Sequence, residues 1–230
     1  MQPKCFFLLT CLIGTFSLFA QSNCSKFYPM TEGVSMEYTN YNKKGKVEGV
    51  SSFKVTAVDT DGEVTNATMA IDMKDDKGKD VYTTDYKLSC SGNMVTLDYE
   101  SILPTDMMQQ YGDMDIELSG NDIEIPNSLD VGEELADANV TMKIGMGGIN
   151  MNITVDMLNR KVEKKENVTT PAGTYDCYVL YSENHSKMMM ANQMFPSRVW
   201  LAEGIGMVKQ ETYKKNGDVM SSTLLTSYSK

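Results

Sequence analysis

Histidine and tryptophan each occur once, as His185 and Trp200, and proline only six times in 230 residues. A single imidazole cannot build a metal centre of several histidines. A Ser-His-Asp arrangement would have to run through His185, which sits in a polar Glu-Asn-His-Ser stretch suited to a surface loop. Basic residues are also short: 21 Lys+Arg face 31 Asp+Glu, a formal net charge of −10. Phosphate backbones demand a basic patch, and none is present, so nucleic acid is not an expected partner. H-E-x-x-H, C-x-x-C, G-x-S-x-G, Walker and G-x-G-x-x-G motifs are all missing. No catalytic residue, metal or cofactor is therefore expected. Carboxylates gather at Asp59, Asp61 and Glu63 and at Asp75, Asp76 and Asp80, but without the alternate spacing and distal Glu of a calcium loop. They read as turn residues.

Only one long apolar run exists, at the start. Lys4 supplies a positive charge, Cys5 to Phe19 is uncharged and mostly apolar, and Ala20 is small. That layout predicts a secretory signal peptide over residues 1–20. The run is shorter than the roughly 20 residues of a spanning helix, so no transmembrane span is expected after its removal. Residues 21–230 are then one exported domain of the periplasm or cell envelope. Loss of Lys4 takes the net charge from −10 to −11. A lipid-anchored form through Cys24 ranks second, because Gln21-Ser22-Asn23 lacks the apolar-small-small character of an attachment signal.

Past Gly33 the dominant period is two. Ile149, Met151, Ile153, Val155 and Met157 alternate with Asn150, Asn152, Thr154 and Asp156, and Val140, Met142 and Ile144 alternate with Thr141 and Lys143. A glycine-rich stretch separates the two runs, which predicts a hairpin with one dry face. Ala67, Met69, Ile71 and Met73 form another dry face, as do Tyr82 to Cys90 and Tyr175 to Tyr181 at every second position. Turns ending in glycine recur at Gly45, Gly62, Gly78 and Gly217. The fold class predicted is mainly β: an antiparallel meander forming a curved half-barrel or two-layer sandwich. Short helices are predicted over Thr105 to Tyr111 and Ser186 to Phe195, the second capped by Ser186.

Methionine is abundant, with 19 residues. Thioethers at Met188, Met189 and Met190 near His185 suit Cu(I), but most methionines fall on dry strand faces and read as core filler or cavity lining. The ligand-lining candidates are Met69, Ile71, Met73, Met142, Ile144, Met151, Ile153, Val155 and Met157. Three cysteines remain in the exported chain. Cys90 and Cys177 both lie on dry faces and are the disulfide candidates; two buried thiols, or a bond involving Cys24, are the alternatives. Pro171-Ala172-Gly173 reads as a tight turn, Trp200 as a packing anchor, and Gly204 and Gly206 as a turn approaching Trp200.

Thr170 to Tyr178 (TPAGTYDCY), Val199 to Tyr213 (VWLAEGIGMVKQETY) and Glu37 to Gly49 resemble the exported TapB-like proteins of the Gram-negative envelope. More distantly they resemble periplasmic domains of unknown function. The resemblance implies a β-rich exported protein and brings no catalytic residues. Together these features predict a non-enzymatic envelope protein whose Met-rich sheet face takes a lipid or other apolar or amphipathic molecule. The alternative is a structural or assembly component whose partners are envelope proteins.

Overall fold

Alternation of apolar and polar residues, punctuated by glycine turns, makes strand of nearly everything described. The computed structural model describes residues 24–98, 101, 115–146, 149–188 and 191–230. The strands are β1 (Ser35–Asn42), β2 (Val47–Asp61), β3 (Val64–Asp75), β4 (Asp80–Ser91), β5 (Met94–Leu97), β6 (Asp115–Asn121), β7 (Ile123–Pro126), β8 (Ala138–Met146), β9 (Ile149–Thr170), β10 (Gly173–Met188), β11 (Ala191–Ala202), β12 (Gly206–Tyr213) and β13 (Val219–Ser229). They form one antiparallel sheet in the order β6-β8-β9-β10-β11-β12-β13-β1-β2-β3-β4-β5-β7. The predicted turn glycines, such as Gly62 and Gly78, have positive φ, and Pro171-Ala172 joins β9 to β10 as predicted.

The two edges of this sheet are one stretch of chain. β6 pairs with β8 and β7 pairs with β5, yet only Asp122 separates them. The sheet must therefore curl until its edges meet, giving a nearly closed barrel. At one end the wall is continuous, because the loop after β7 bonds to β9: Leu135 N–H to Arg160 O at 2.8 Å, Gly132 N–H to Val162 O at 2.8 Å, and Val162 N–H to Glu133 O at 2.9 Å. At the other end the wall is split among the described residues. β4 pairs with β5 only from Leu88 to Ser91, and among the described residues no ladder joins residues 80–86 to β6.

The closed end is packed solid. Phe27, ahead of β1, is fully buried among Leu97, Ile125, Leu129, Leu135, Val162, Leu180 and Leu201, and meets Tyr178 edge-on. Beside it Met36, Tyr38, Val55, Met69, Leu88, Val95 and Leu225 form a second cluster. Asn127 holds this N-terminal segment in place: its carbonyl oxygen accepts from Lys26 N–H and its amide donates to Cys24 O, at 2.8 and 2.9 Å. The turn between β11 and β12 adds Gly204 N–H to Lys26 O at 2.8 Å. A Cβ on Gly206 would meet the Tyr28 ring at 3.4 Å, whereas one on Gly204 would meet nothing within 4 Å, so the predicted close approach occurs at Gly206 alone and is to Tyr28, not to Trp200.

Two predictions are corrected. The described residues of the predicted helix, 186–188 and 191–195, are strand, the end of β10 and the start of β11, paired from Cys177↔Ala202 to Met188↔Ala191. A ten-residue helix is marginal by itself, whereas extending an existing ladder adds bonds at every step. The helix over Thr105 to Tyr111 lies outside the described residues. The disulfide joins Cys24 to Cys90, with Cα atoms 5.8 Å apart, and Cys177 is a buried free thiol. Both predicted cysteines do face dry surroundings, but not the same ones. The β10–β11 hairpin is buried on both faces: Leu180 and Leu201 point into the barrel, while Cys177, Val179, Trp200 and Ala202 form a separate cluster with Val208 on the other side.

Unreduced peptide mapping should recover Cys24 linked to Cys90, with Cys177 alkylated only after unfolding; a Cys90–Cys177 peptide would contradict this fold. Replacing Cys24 by Ala opens a loop closed across 66 residues and should cost ~4 kcal/mol of stability in urea titrations. Phe27→Ala, which empties the centre of the closed end, should cost about 3–5 kcal/mol.

Candidate functional site

The predicted lining residues all face the barrel interior, but in three different settings. Met69 is 2% exposed and belongs to the solid core. Ile71 and Met73 continue that face of β3 toward the split end, cross-strand from Thr84 and Tyr82. Met142 and Ile144 on β8 are buried and pair with Ile153 and Met151 on β9; Val155 and Met157 extend the same face. The last four are only half-buried. The two groups look distant in sheet order, yet β3 and β8 each lie one strand back from the split between β4 and β6. Ile71 and Met73 thus lie on one flank of the gap between the described strands β4 and β6, and the β8–β9 residues on the other.

Opposite this apolar wall the interior is polar. Along β10 the inward face is Leu180, then Ser182 and Asn184; on β11 it is Leu201 and Val199, then Ser197. On β13 Leu225 gives way to Thr223, on β1 Tyr38 to Asn40, and on β2 Phe53 to Ser51. These side chains bond across strands. Ser182 and Ser197 hydroxyls lie 2.9 Å apart, Asn184 donates to Ser197 at 2.8 Å, Thr223 donates to Asn40 at 2.7 Å and Asn40 to Ser51 at 3.3 Å. Gln210 and Thr212 of β12 hold the corresponding inward positions between them. Composition alone concealed this belt, because the same serines and asparagines read as wet-face or capping residues. The available signal was a strand whose dry face stops being apolar halfway along.

The interior is also uncharged. Among the described residues, no inward position of β8–β13 or β1–β4 beyond the core carries a charged side chain, short of the hairpin turns. Burial pushes the Tyr28 phenol up to about 12 and raises those of Tyr38 and Tyr86 well above the ordinary phenol value, so they stay protonated. Arg160 is the buried cation of the closed end, its guanidinium donating to Ala136 O and Glu124 O. Burial lowers its pKa below the ordinary arginine value.

Charge is concentrated outside, on β9–β12. A polar cleft of about 700 Å³ is lined by Glu134, Asp137, Lys161, Glu163, Glu183 and Arg198, among others. Asn159, the non-glycine residue with positive φ, makes a bulge at its rim. Arg198 grips Glu163 through two bonds of 2.5 and 2.8 Å and stacks near Tyr181 and Tyr213. Farther along, the Trp200 indole donates to Glu166 at 2.6 Å beneath Lys209, as expected of a packing anchor. His185 stands on this outer side, 3.8 Å from Glu183, with a buried Nε2 that lacks a hydrogen-bond partner. Met188 is exposed, and Met189 and Met190 lie outside the described residues. Carboxylates and cations here are mutually neutralised, which suits sheet reinforcement.

The Arg198 hydrogen bond holds the Glu163 carboxyl below the usual carboxylate range. Its stabilisation is present above the ordinary pKa of glutamate and is lost as pH falls through the depressed one. Glu163→Gln should cost about 1 kcal/mol at neutral pH, and the melting temperatures of variant and parent should converge in acid.

Two solved structures share this architecture. A Bacteroides fragilis protein described as exported, with a YmcC-like fold, superposes with a TM-score of 0.73 at 19% identity over 90% of this chain and 100% of its own. A Parabacteroides distasonis protein described as a lipoprotein gives 0.72 at 24% identity over the same shares. At such identities the likeness is one of fold. No curated protein matches the sequence. A family match spans residues 31–225, and by it the chain belongs to the DUF3108-like family.

Proposed function

We propose that this is a non-enzymatic exported protein of the cell envelope that holds an apolar or amphipathic molecule in the split end of its barrel. The observation that carries the reading is the half-buried row Met151, Ile153, Val155 and Met157 facing the interior beside the opening. Where the closed end needs filling, the chain supplies Phe27 and its neighbours; flexible methionine is what a surface meeting varied shapes uses instead. The exported and lipoprotein descriptions of the two structural relatives, and the narrower likeness to TapB-like envelope proteins, support the same address. With Cys24 bonded to Cys90, its thiol is not free for acylation, which favours a form that is not lipid-anchored there.

Native mass spectrometry of protein gently purified from its own envelope should show adducts of lipid mass. The uncharged fluorophore N-phenylnaphthylamine should brighten on binding, and Ile153→Glu should weaken that binding at least roughly tenfold by setting a carboxylate on the apolar wall, with far-UV circular dichroism unchanged. A bare chain together with no probe uptake would overturn the reading.

A further inference from the structure

The polar belt has a feature that the apolar wall does not explain: every group in it is neutral. Ser182, Asn184 and Ser197 bond together on β10 and β11, and Thr223, Asn40 and Ser51 bond together on β13, β1 and β2, all on the inward face of the barrel beyond its packed end. Ser197 is 4% and Ser51 7% exposed, so these are interior polar groups, and burying such groups is unfavourable unless they find partners. Their mutual bonds satisfy them only in part. Asn184 gives one amide hydrogen to Ser197; no other bond of its side chain occurs among the described residues, although an amide has two donors and an acceptor. A solid barrel would have continued Leu180, Leu201 and Leu225 with more leucine.

We infer that the molecule held at this end is an amphiphile with an uncharged head group rich in hydroxyls or amides, the head on the belt and the aliphatic part against Met151 to Met157. The inference rests on the ligand-binding reading above and narrows it. An anionic or cationic head would meet no facing counter-charge among the described inward residues of this end, and a desolvated charge without a partner is disfavoured far more than a desolvated hydroxyl. A neutral head instead exchanges its water for Asn184, Thr223 and Ser51, which can both donate and accept. The two walls stand across the same interior, so one molecule with a polar and an apolar part meets both.

The test holds the chain constant and varies the head. N-phenylnaphthylamine bound to the full-length exported protein is displaced by dodecyl maltoside, dodecyl sulfate or dodecyltrimethylammonium, each below its micellar concentration and at one ionic strength. The maltoside should displace the probe at roughly tenfold lower concentration than either ion. Asn184→Asp keeps a hydrogen bond with Ser197 but places a negative charge in the belt; it should erase the maltoside preference and favour the trimethylammonium head. Thr223→Val, which removes one hydroxyl without adding charge, should weaken maltoside several-fold and leave the two ions unaffected. Equal displacement by all three amphiphiles, or preference for an ionic head, with probe uptake intact, overturns the head-group inference while the ligand-binding reading stands. Failure of the probe itself to bind removes that reading and the inference together.

Discussion

Closure of the sheet by a single stretch of chain is the constraint on which the rest depends. Because β6 and β7 are consecutive and yet occupy opposite edges, no flat arrangement of the thirteen strands is available. Curling follows, and with it an inside and an outside. The hydrogen bonds of β5 with β7, and of β9 with the loop after β7, then determine which end is sealed. The short β5, four residues against twelve in β4, determines where the ladder among the described strands is interrupted.

That asymmetry explains the distribution of side chains better than a single hydrophobic core does. At the sealed end the interior must be filled, and the chain threads its own N-terminal segment through it, with Phe27 at the centre and Asn127 supplying the hydrogen bonds that a neighbouring strand would otherwise give. Toward the split end the same strands change character at one level, from leucine and valine to serine, threonine and asparagine on one side and to methionine and isoleucine on the other. Near the closed end the outer face of β10 and β11 is dry as well, where Cys177, Val179, Trp200 and Ala202 cluster with Val208, and β9 also comes against β12 and β13 there.

Period-two alternation made the strands legible from the amino acids, including the β8–β9 hairpin and the turn at Pro171-Ala172-Gly173. Three things were not legible, for separable reasons. Ser186 to Phe195 carries residues at helical spacing as well as strand spacing, and only the ladder to the rest of β10 and β11 decides between them. The partner of Cys90 depends on which dry face is meant, and alternation reveals that a face is dry without revealing what covers it. The polar belt required the register, since Asn40 meets Thr223 through the β13–β1 pairing and Ser197 meets Ser182 through the β10–β11 pairing, with Gln210 and Thr212 of β12 linking the two groups. The lining candidates fared unevenly for the same reason: Met69 and Met73 share one strand face, but the barrel is filled at the level of the first and opens toward the second.

Cys177 gives the architecture a consequence for folding. The three described cysteines have three ways to form one bond, and two of them would tie up Cys177 and leave Cys24 or Cys90 without the partner it has in this fold. Burial pushes its thiol up to about 11, so little thiolate is present near neutrality, and exchange proceeds through thiolate. The β9–β10 and β10–β11 hairpins that enclose it are local in sequence, and local contacts form ahead of distant ones. The odd cysteine is thus withdrawn from competition by its own hairpin, leaving Cys24 and Cys90 as the pair still able to react across the barrel.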